Sequence, residues 1–288
     1  MRNVVPRLLG LGDNTVDVYV DKGLMFPGGN TVNVAGMWAR QGQPAGYLGC
    51  LSFDQYGNLI YQSLSEDGID LSHCRRSHKP NACTLIGHEG EDRRFLGSRK
   101  GVARDITLTE DDYLYMSSFD VVHTSIFSGL DTYIPSIANR CRSLSYDLSN
   151  RWNDEHLGRL AGHLDIAFLS LGDVNAEEGI KILHRWTEAG CGLAVGTRGS
   201  EGSLAVQNGM LYSAGVKPAT VVDTLGAGDG FAAGFLLEWC TSSDVGRALE
   251  AGAQNAAEIC SVMGAFGHGL AFDTPPDDLP ERSEVARA

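Results

Sequence analysis

The sequence predicts an α/β fold: a mostly parallel sheet flanked by helices on both faces, with a small β-sheet lid. Three observations predict it. Short apolar or β-branched runs alternate with segments of helical spacing along most of the 288 residues, the pattern of a parallel sheet with crossover helices. Residues 221–231 pass from a β-branched run through Gly226-Ala227-Gly228-Asp229 into the helical spacing of Phe231, Phe235, Leu236 and Trp239, which reads as strand, glycine-rich turn and helix start. Two alternating segments, 16–26 and 82–97, do not fit such a sheet and are assigned to a separate β layer over it.

In chain order, Leu8-Leu9-Gly10-Leu11-Gly12 is a buried first strand. Strict alternation from Val16 to Asp21 predicts a half-exposed strand. Pro27-Gly28-Gly29-Asn30 is a turn, and Asn30 or Thr31 caps a helix reaching about Arg40. A strand over 45–51 and a helix over 55–66 follow, then a hairpin of 83–88 with 93–96 around Gly90. Thr109-x-x-Asp112, close to a capping box, opens a helix over 109–117. Strands are expected at 120–126, 144–148, 166–171 and 192–196, with helices at 131–141 and 176–189. Asn208-Gly209 turns a hairpin between 203–206 and 210–212. Helices over 228–240 and 244–262 complete one domain over 1–269, with lid segments at about 14–27 and 82–101. The tail, 270–288, is acidic and proline-bearing with little to bury, so it is expected to be loosely ordered.

The net charge is −13 and the composition 43% hydrophobic, enough for a sizeable core. The chain lacks the basic stripes that nucleic acid requires, and its sign disfavours anionic membranes. No apolar run approaches the ~20 residues of a membrane span, and residues 1–7 lack a signal-peptide core. Seven scattered cysteines without a Cys-x-x-Cys pair read as reduced thiols of a cytoplasmic protein. The histidines show no metal-binding spacing, and His88 and His123 read as ordinary polar residues.

Two clusters carry chemistry. At Gly226-Ala227-Gly228 the backbone can approach a ligand, and the free N–H groups and dipole of the following helix make an anion site. Asp229 stands there as an ionised carboxylate able to take a proton from an attacking hydroxyl; the competing reading is a helix cap in an ordinary turn. The second cluster joins Asp13 and Asp17 to Gly28, Gly29, Asn30 and Asn33. Carboxylates and carboxamides suit sugar hydroxyls, and paired glycines allow close approach. The competing reading is a polar loop with a cap.

The order Gly-Asp-x-x-x-Asp, Gly-Gly-Asn-x-x-Asn and, about two hundred residues on, Asp-Thr-x-Gly-Ala-Gly-Asp resembles the two signatures of the ribokinase-like, or phosphofructokinase B, carbohydrate kinases, over about residues 8–269. The resemblance implies ATP and Mg²⁺, with Asp229 as catalytic base and Gly226, Ala227 and Gly228 holding the transferring phosphate. It implies a nucleotide loop at Thr197 and Gly199, with Gly202 and Asn255 as further nucleotide contacts. It also implies K⁺ or another monovalent cation, to which Asp223 would contribute. Arg93 or Arg94 would neutralise phosphate charge from the lid. Most of the family carries Asn-x-x-Glu to order Mg²⁺ and its waters; this chain has Ser170-Leu171-Gly172-Asp173, which leaves Asp173 for a water-mediated role.

Within the family, Gly-Asp-Asn-x-x-Asp, Val122-His123, Tyr146-Asp147-Leu148-Ser149 with Trp152, and His88 before Arg93-Arg94-Phe95 are most similar to fructoselysine 6-kinases, which phosphorylate the sugar 6-hydroxyl of a glycated lysine. Another fructosamine, fructose or ribose is the alternative acceptor. Ser98-Arg99-Lys100-Gly101 is more basic than a lysine ammonium calls for, which leaves an acidic or neutral amine conjugate open. A dinucleotide-dependent oxidoreductase is opposed by its misplaced third glycine, and a silent sugar-binding regulator by the intact Asp229. Unpaired lid strands suggest a homodimer.

Overall fold

The computed structural model describes residues 5–89 and 92–272. In chain order the elements are β1 (Leu8–Gly12), β2 (Thr15–Tyr19), β3 (Leu24–Gly28), α1 (Asn30–Arg40), β4 (Ala45–Ser52), α2 (Gln55–Glu66), β5 (Arg75–Ser77), β6 (Cys83–Glu89), β7 (Asp92–Arg99), α3 (Glu110–Met116), β8 (Val121–Ser125), α4 (Ile134–Ala138), β9 (Leu144–Asp147), α5 (Asp154–Leu160), β10 (Ile166–Ser170), α6 (Ala176–Glu188), β11 (Leu193–Thr197), β12 (Ser203–Gln207), β13 (Met210–Ala214), α7 (Ala227–Ser242), α8 (Val245–Cys260) and β14 (Leu270–Ala271). Nine strands form one sheet in the order β13-β12-β11-β10-β9-β8-β1-β4-β5. It is parallel except where β12 meets β11 and β13. Five strands form the second sheet, β14-β3-β2-β6-β7.

β1 lies inside the large sheet, and its alternate residues belong to two separate cores. Leu8 packs with Val32, Trp38, Phe231 and Phe235 on one face, and Leu9 and Leu11 with Leu48, Val122 and Leu144 on the other. Each such fully buried side chain contributes about 1.5–3 kcal/mol. Gly10 sets the height of α1 above the sheet, since a Cβ there would lie 2.4 Å from the Thr31 carbonyl oxygen.

The second sheet is the expected lid layer, with three differences. β2 is buried along both faces rather than half-exposed. Val16 and Val18 join the main core, while Tyr19 packs with Phe26 and Ile86 in a small cluster of its own. The alternation therefore reports two different buried faces. β3 runs on through Pro27 and Gly28, which are expected in a turn, and completes a hairpin with β2. The tail contributes β14, whose Leu270 and Ala271 pair with Met25 and Leu24; the tail beyond 272 lies outside the described residues.

Two further expectations change. Residues 221–223 are not a strand: Val221 and Val222 are exposed, and the Val222 and Asp223 N–H groups donate to the Cys260 carbonyl oxygen. The expected helix 131–141 is a 3-10 turn followed by the short α4, which has Pro135 near its start. The Thr109–Asp112 capping box is present on both sides. Among the described residues no helix is long and apolar enough to cross a membrane. All seven cysteines are free, and burial pushes Cys74, Cys141, Cys191 and Cys240 up to about 12.

Candidate active site

The loop after β1 and the start of α1 are joined through Asp13, which is 5% exposed. Its Oδ2 accepts from the Asn30 N–H at 2.8 Å, and the Thr31 hydroxyl donates to its carbonyl oxygen at 2.7 Å. Asp13 therefore satisfies the helix start; the N-cap position is Gly29, with no side-chain cap, so neither Asn30 nor Thr31 caps α1. Oδ1 accepts from Ser125 at 2.7 Å and Ser128 at 3.1 Å. Burial raises the Asp13 pKa, and these donors oppose the shift. Three donors on a carboxylate with about four acceptor sites leave room for one sugar hydroxyl. Asp17 is buried on β2, its carboxylate against the backbone of Gly28, where a Cβ would sit 2.1 Å away. Gly29, at φ 99°, packs on the Asn14 backbone, where a Cβ would sit 2.5 Å away.

Asp229 lies in the first turn of α7 and is reached from α1. Asn30 Nδ2 donates to its Oδ1 and Asn33 Nδ2 to its Oδ2, both at 2.7 Å. Burial pushes its carboxyl up to about 6 against the pull of those two amides. It is thus a carboxylate poised near neutrality rather than one firmly ionised, and it does not cap α7. The N-cap is Gly226 at φ 77°, where a side chain would strain the backbone and meet Ala265 at 2.8 Å. The Ala227 N–H turns back to the Thr224 carbonyl oxygen at 3.3 Å, so the expected nest narrows to the amides of Gly228 and Asp229, which have no partner within the helix. A Cβ on Gly228 would meet nothing within 4 Å, so there is space beside those amides. Phe231 and Phe235 stack on each other and meet Phe168 of β10 edge-on, which fixes the start of α7 over the sheet.

Three residues that the sequence reading left without a role complete this centre. Asp147, at the end of β9, accepts from the same Asn30 Nδ2 at 2.9 Å. Burial, and then the Asp229 charge, push it up to about 7. His123 on β8 is fully buried, and burial holds it down to about 3, so it is neutral. Its Nε2 faces Asn30 Oδ1 at 2.9 Å, an acceptor, so the ring proton is on Nε2, and Nδ1 takes the Ser145 hydroxyl at 3.0 Å. His123 thereby fixes which way the Asn30 amide points. Ser125 holds Asp13. Ser125 and Asp147 end parallel strands, where open α/β sheets bind ligands, a position that marks them as candidates. His123 lies mid-strand and carries no such mark. Asn33 Oδ1 is buried with no hydrogen-bond partner, an acceptor left for an incoming hydroxyl.

The remaining residues lie elsewhere on the fold. Thr197 ends β11, and Gly199 (φ 55°) lies in the following turn with open space around it. Gly202 is required by the backbone, since a Cβ there would lie 2.3 Å from the Ala214 carbonyl oxygen. Asn255 is buried on α8 and donates to the Gly230 carbonyl oxygen at 2.6 Å, bracing the first turn of α7. Asp173 is an exposed carboxylate just beyond β10. Asp223 accepts from the Tyr19 hydroxyl at 2.5 Å, from Leu225 N–H at 2.9 Å and from Gly264 N–H at 3.3 Å, and so anchors the lid to the loop before α7. Arg94 is exposed on β7, and the Arg93 side chain lies outside the described residues. Among the described residues no group of three or more His, Cys, Asp or Glu could hold a metal directly. Such a donor set suits a divalent ion carried on waters and phosphate oxygens rather than in an all-protein cage.

The geometry thus joins a buried carboxylate, a helix start with two amides unpaired within the helix and a group of buried polar side chains from the first forty residues. The pattern of the pfkB family carbohydrate kinases matches residues 2–143 and 149–267. A fructosamine kinase of Bacillus subtilis is 30% identical over 97% of this chain and 99% of its own. A fructoselysine 6-kinase of Escherichia coli is 32% identical over 90% of this chain and 99% of its own. The structure of an Arabidopsis thaliana ribokinase complexed with ribose and ATP covers 91% of this chain and 95% of its own at a TM-score of 0.80 and 20% identity, a likeness of fold. With the two signature clusters meeting at Asp229 and the match extending along nearly the whole chain, the protein belongs to the pfkB family of carbohydrate kinases.

Proposed function

We propose that this kinase transfers the γ-phosphoryl group of ATP to a primary hydroxyl of a sugar-amine conjugate, in the manner of a fructoselysine 6-kinase. The observation that carries the reading is Asp229 held by Asn30 and Asn33 beside the free amides of Gly228 and Asp229. The acceptor hydroxyl lies between Asp229 and the unpartnered Asn33 Oδ1, with Asp13, Asp17 and Asn30 fixing the rest of the sugar. Asp229 takes the proton as the oxygen attacks the phosphorus in line. Charge growing on the phosphoryl oxygens is met by amides already in place at the start of α7. Bound Mg²⁺ supplies neutralisation of the phosphate charge. Thr197 and Gly199, on the same sheet edge, border the nucleotide, and exposed Val221, Val222 and Val262 offer apolar cover for its base. β7 leaves one lid edge unpaired among the described residues, and a homodimer through it is part of this reading.

Asp229→Asn tests the assignment. The carboxamide keeps the volume and removes the proton acceptor, so nucleotide binding persists in a fluorescent-nucleotide titration while kcat falls roughly 10²–10⁴-fold. A variant within about tenfold of wild type refutes the role. ADP release measured over fructoselysine, other fructosamines, fructose and ribose assigns the acceptor; preference for an unmodified sugar would remove the amine half from the reading.

A further inference from the structure

A cleft of about 680 Å³ opens beside the site, of a size that holds a small organic ligand. Its walls are the loops that follow β8 and β9, with Ile126, Gly129, Asn150 and Arg151, together with Arg104 from the turn after β7 and His156 from the first turn of α5. These loops continue directly from the residues that build the sugar pocket. Ser125, whose hydroxyl donates to Asp13, precedes Ile126, and Ser128, which does the same, precedes Gly129. Asp147, bonded to Asn30, lies three residues before Asn150.

The polar groups in the cleft are unusual for so acidic a chain. Arg104 donates through Nε to the Phe127 carbonyl oxygen at 2.7 Å, and the Arg151 guanidinium lies 4.9 Å from the centre of the Phe127 ring. Two cations converge on one residue, and among the described residues neither meets a carboxylate. On nearby elements Arg140, Arg142, Arg159 and Arg185 each do. Among the described residues the one carboxylate lining the cleft, Asp131, already accepts from the Tyr146 hydroxyl at 2.6 Å. His156 Nδ1 is buried with no partner. Guanidinium groups read planar anions, above all carboxylates.

The site also has a direction. From Asp229 the hydrogen bonds run through Asn30 to Asp147 and Asp13 and end at Ser125 and Ser128, whose chain neighbours Ile126 and Gly129 line the cleft. In a ketose the phosphorylated C6 and the C1 that carries an amine are opposite ends, so a sugar that spans from Asp229 to Asp13 has its C1 end on the side of Ser125 and Ser128, where the cleft begins. We infer that this cleft receives the amine half of the substrate and that Arg104 and Arg151 are the residues that select it, by holding a carboxylate on that half. The inference rests on the sugar-amine reading above.

The test compares KM values for two pairs of conjugates, each pair differing only in charge: fructosylglycine with fructosylglycinamide, and fructoselysine with its carboxamide. Each is measured by ADP release with wild type, with Arg104→Ala/Arg151→Ala and with the milder Arg151→Gln. In at least one pair the wild type should favour the carboxylate by about ten- to hundredfold, the effect of a charge-assisted pair. The double variant should bring that ratio to near one. A ratio of KM values within one variant does not depend on how much of it is folded. Equal KM values for acid and amide in both pairs, or a preference that survives loss of both arginines, overturns the inference while leaving the kinase reading intact. No ADP release with any conjugate overturns the sugar-amine reading itself, and this inference with it.

Discussion

Replacing Asn33 by Leu keeps side-chain volume on α1 but removes the amide that donates to Asp229 Oδ2 at 2.7 Å. That bond favours the charged carboxylate and helps to hold at about 6 a group that burial would lift further. A hydrogen bond to a buried charge contributes about 1.5–3 kcal/mol. At about 1.36 kcal/mol per pKa unit, its loss lifts Asp229 by roughly one to two units, to about 7–8. Catalysis needs the deprotonated form, so activity is lost as pH falls through the pKa. The wild-type acid limb of log kcat/KM should therefore bend near pH 6, and that of Asn33→Leu about one to two units higher. The assay is coupled ADP release at subsaturating sugar from about pH 5 to 9, with the stability of each variant checked at both extremes. Asn33 also faces the sugar, so KM rises throughout, but uniform weakening lowers the curve without moving its bend. A limb that stays in place, or moves to lower pH, refutes the assignment of Asp229 as the titrating base.

Asp147→Asn should alter stability against pH. The folded Asp147 holds its proton up to about pH 7 rather than the ordinary 3.8, so between those values the folded chain binds more protons than the unfolded one. Stability then falls as pH rises through that window, by up to about 4 kcal/mol; the variant should lose this slope in urea titrations at about pH 5 and 8, and an unchanged slope counts against the shift. His123→Phe preserves bulk but leaves Asn30 Oδ1 buried without its donor, a cost of about 1–3 kcal/mol. Its melting temperature should fall by several degrees and its kcat more steeply than its nucleotide affinity; full activity would show that Asn30 needs no such support. Gly226→Ala places a side chain at φ 77° and 2.8 Å from Ala265. Nucleotide affinity and turnover should both drop in titration and ADP-release measurements, and wild-type values for both would mean that this turn does not set the nest.

The fold was largely legible because its signals were local. The α1 and α2 boundaries follow from helical spacing and from the turns before them, and Asn208-Gly209 specifies its hairpin. What misled was burial. Val221-Val222 is β-branched yet exposed, held by Cys260 rather than by a neighbouring strand. β2 alternates because its two faces enter different cores, a distinction that a binary pattern does not encode. At the site, Asp13, Asn30, Asn33 and Asp229 were visible as motif residues. Asp147 and His123 were not visible as partners, since their roles depend on one carboxamide that only the folded sheet places between them. The cleft arginines likewise acquire meaning from the carboxylates that are missing around them.

Asp229 takes both of its hydrogen bonds from side chains 199 and 196 positions earlier in the chain. No short stretch can therefore rehearse the reaction. An early intermediate with β1 and α1 formed but α7 undocked would have a sugar pocket and no proton acceptor, and one with α7 docked alone would have an acceptor with no fixed aim. Turnover should return on dilution from denaturant only in the slowest phase, after helical signal has recovered, which makes the enzyme's own activity a reporter that its two chain ends have met.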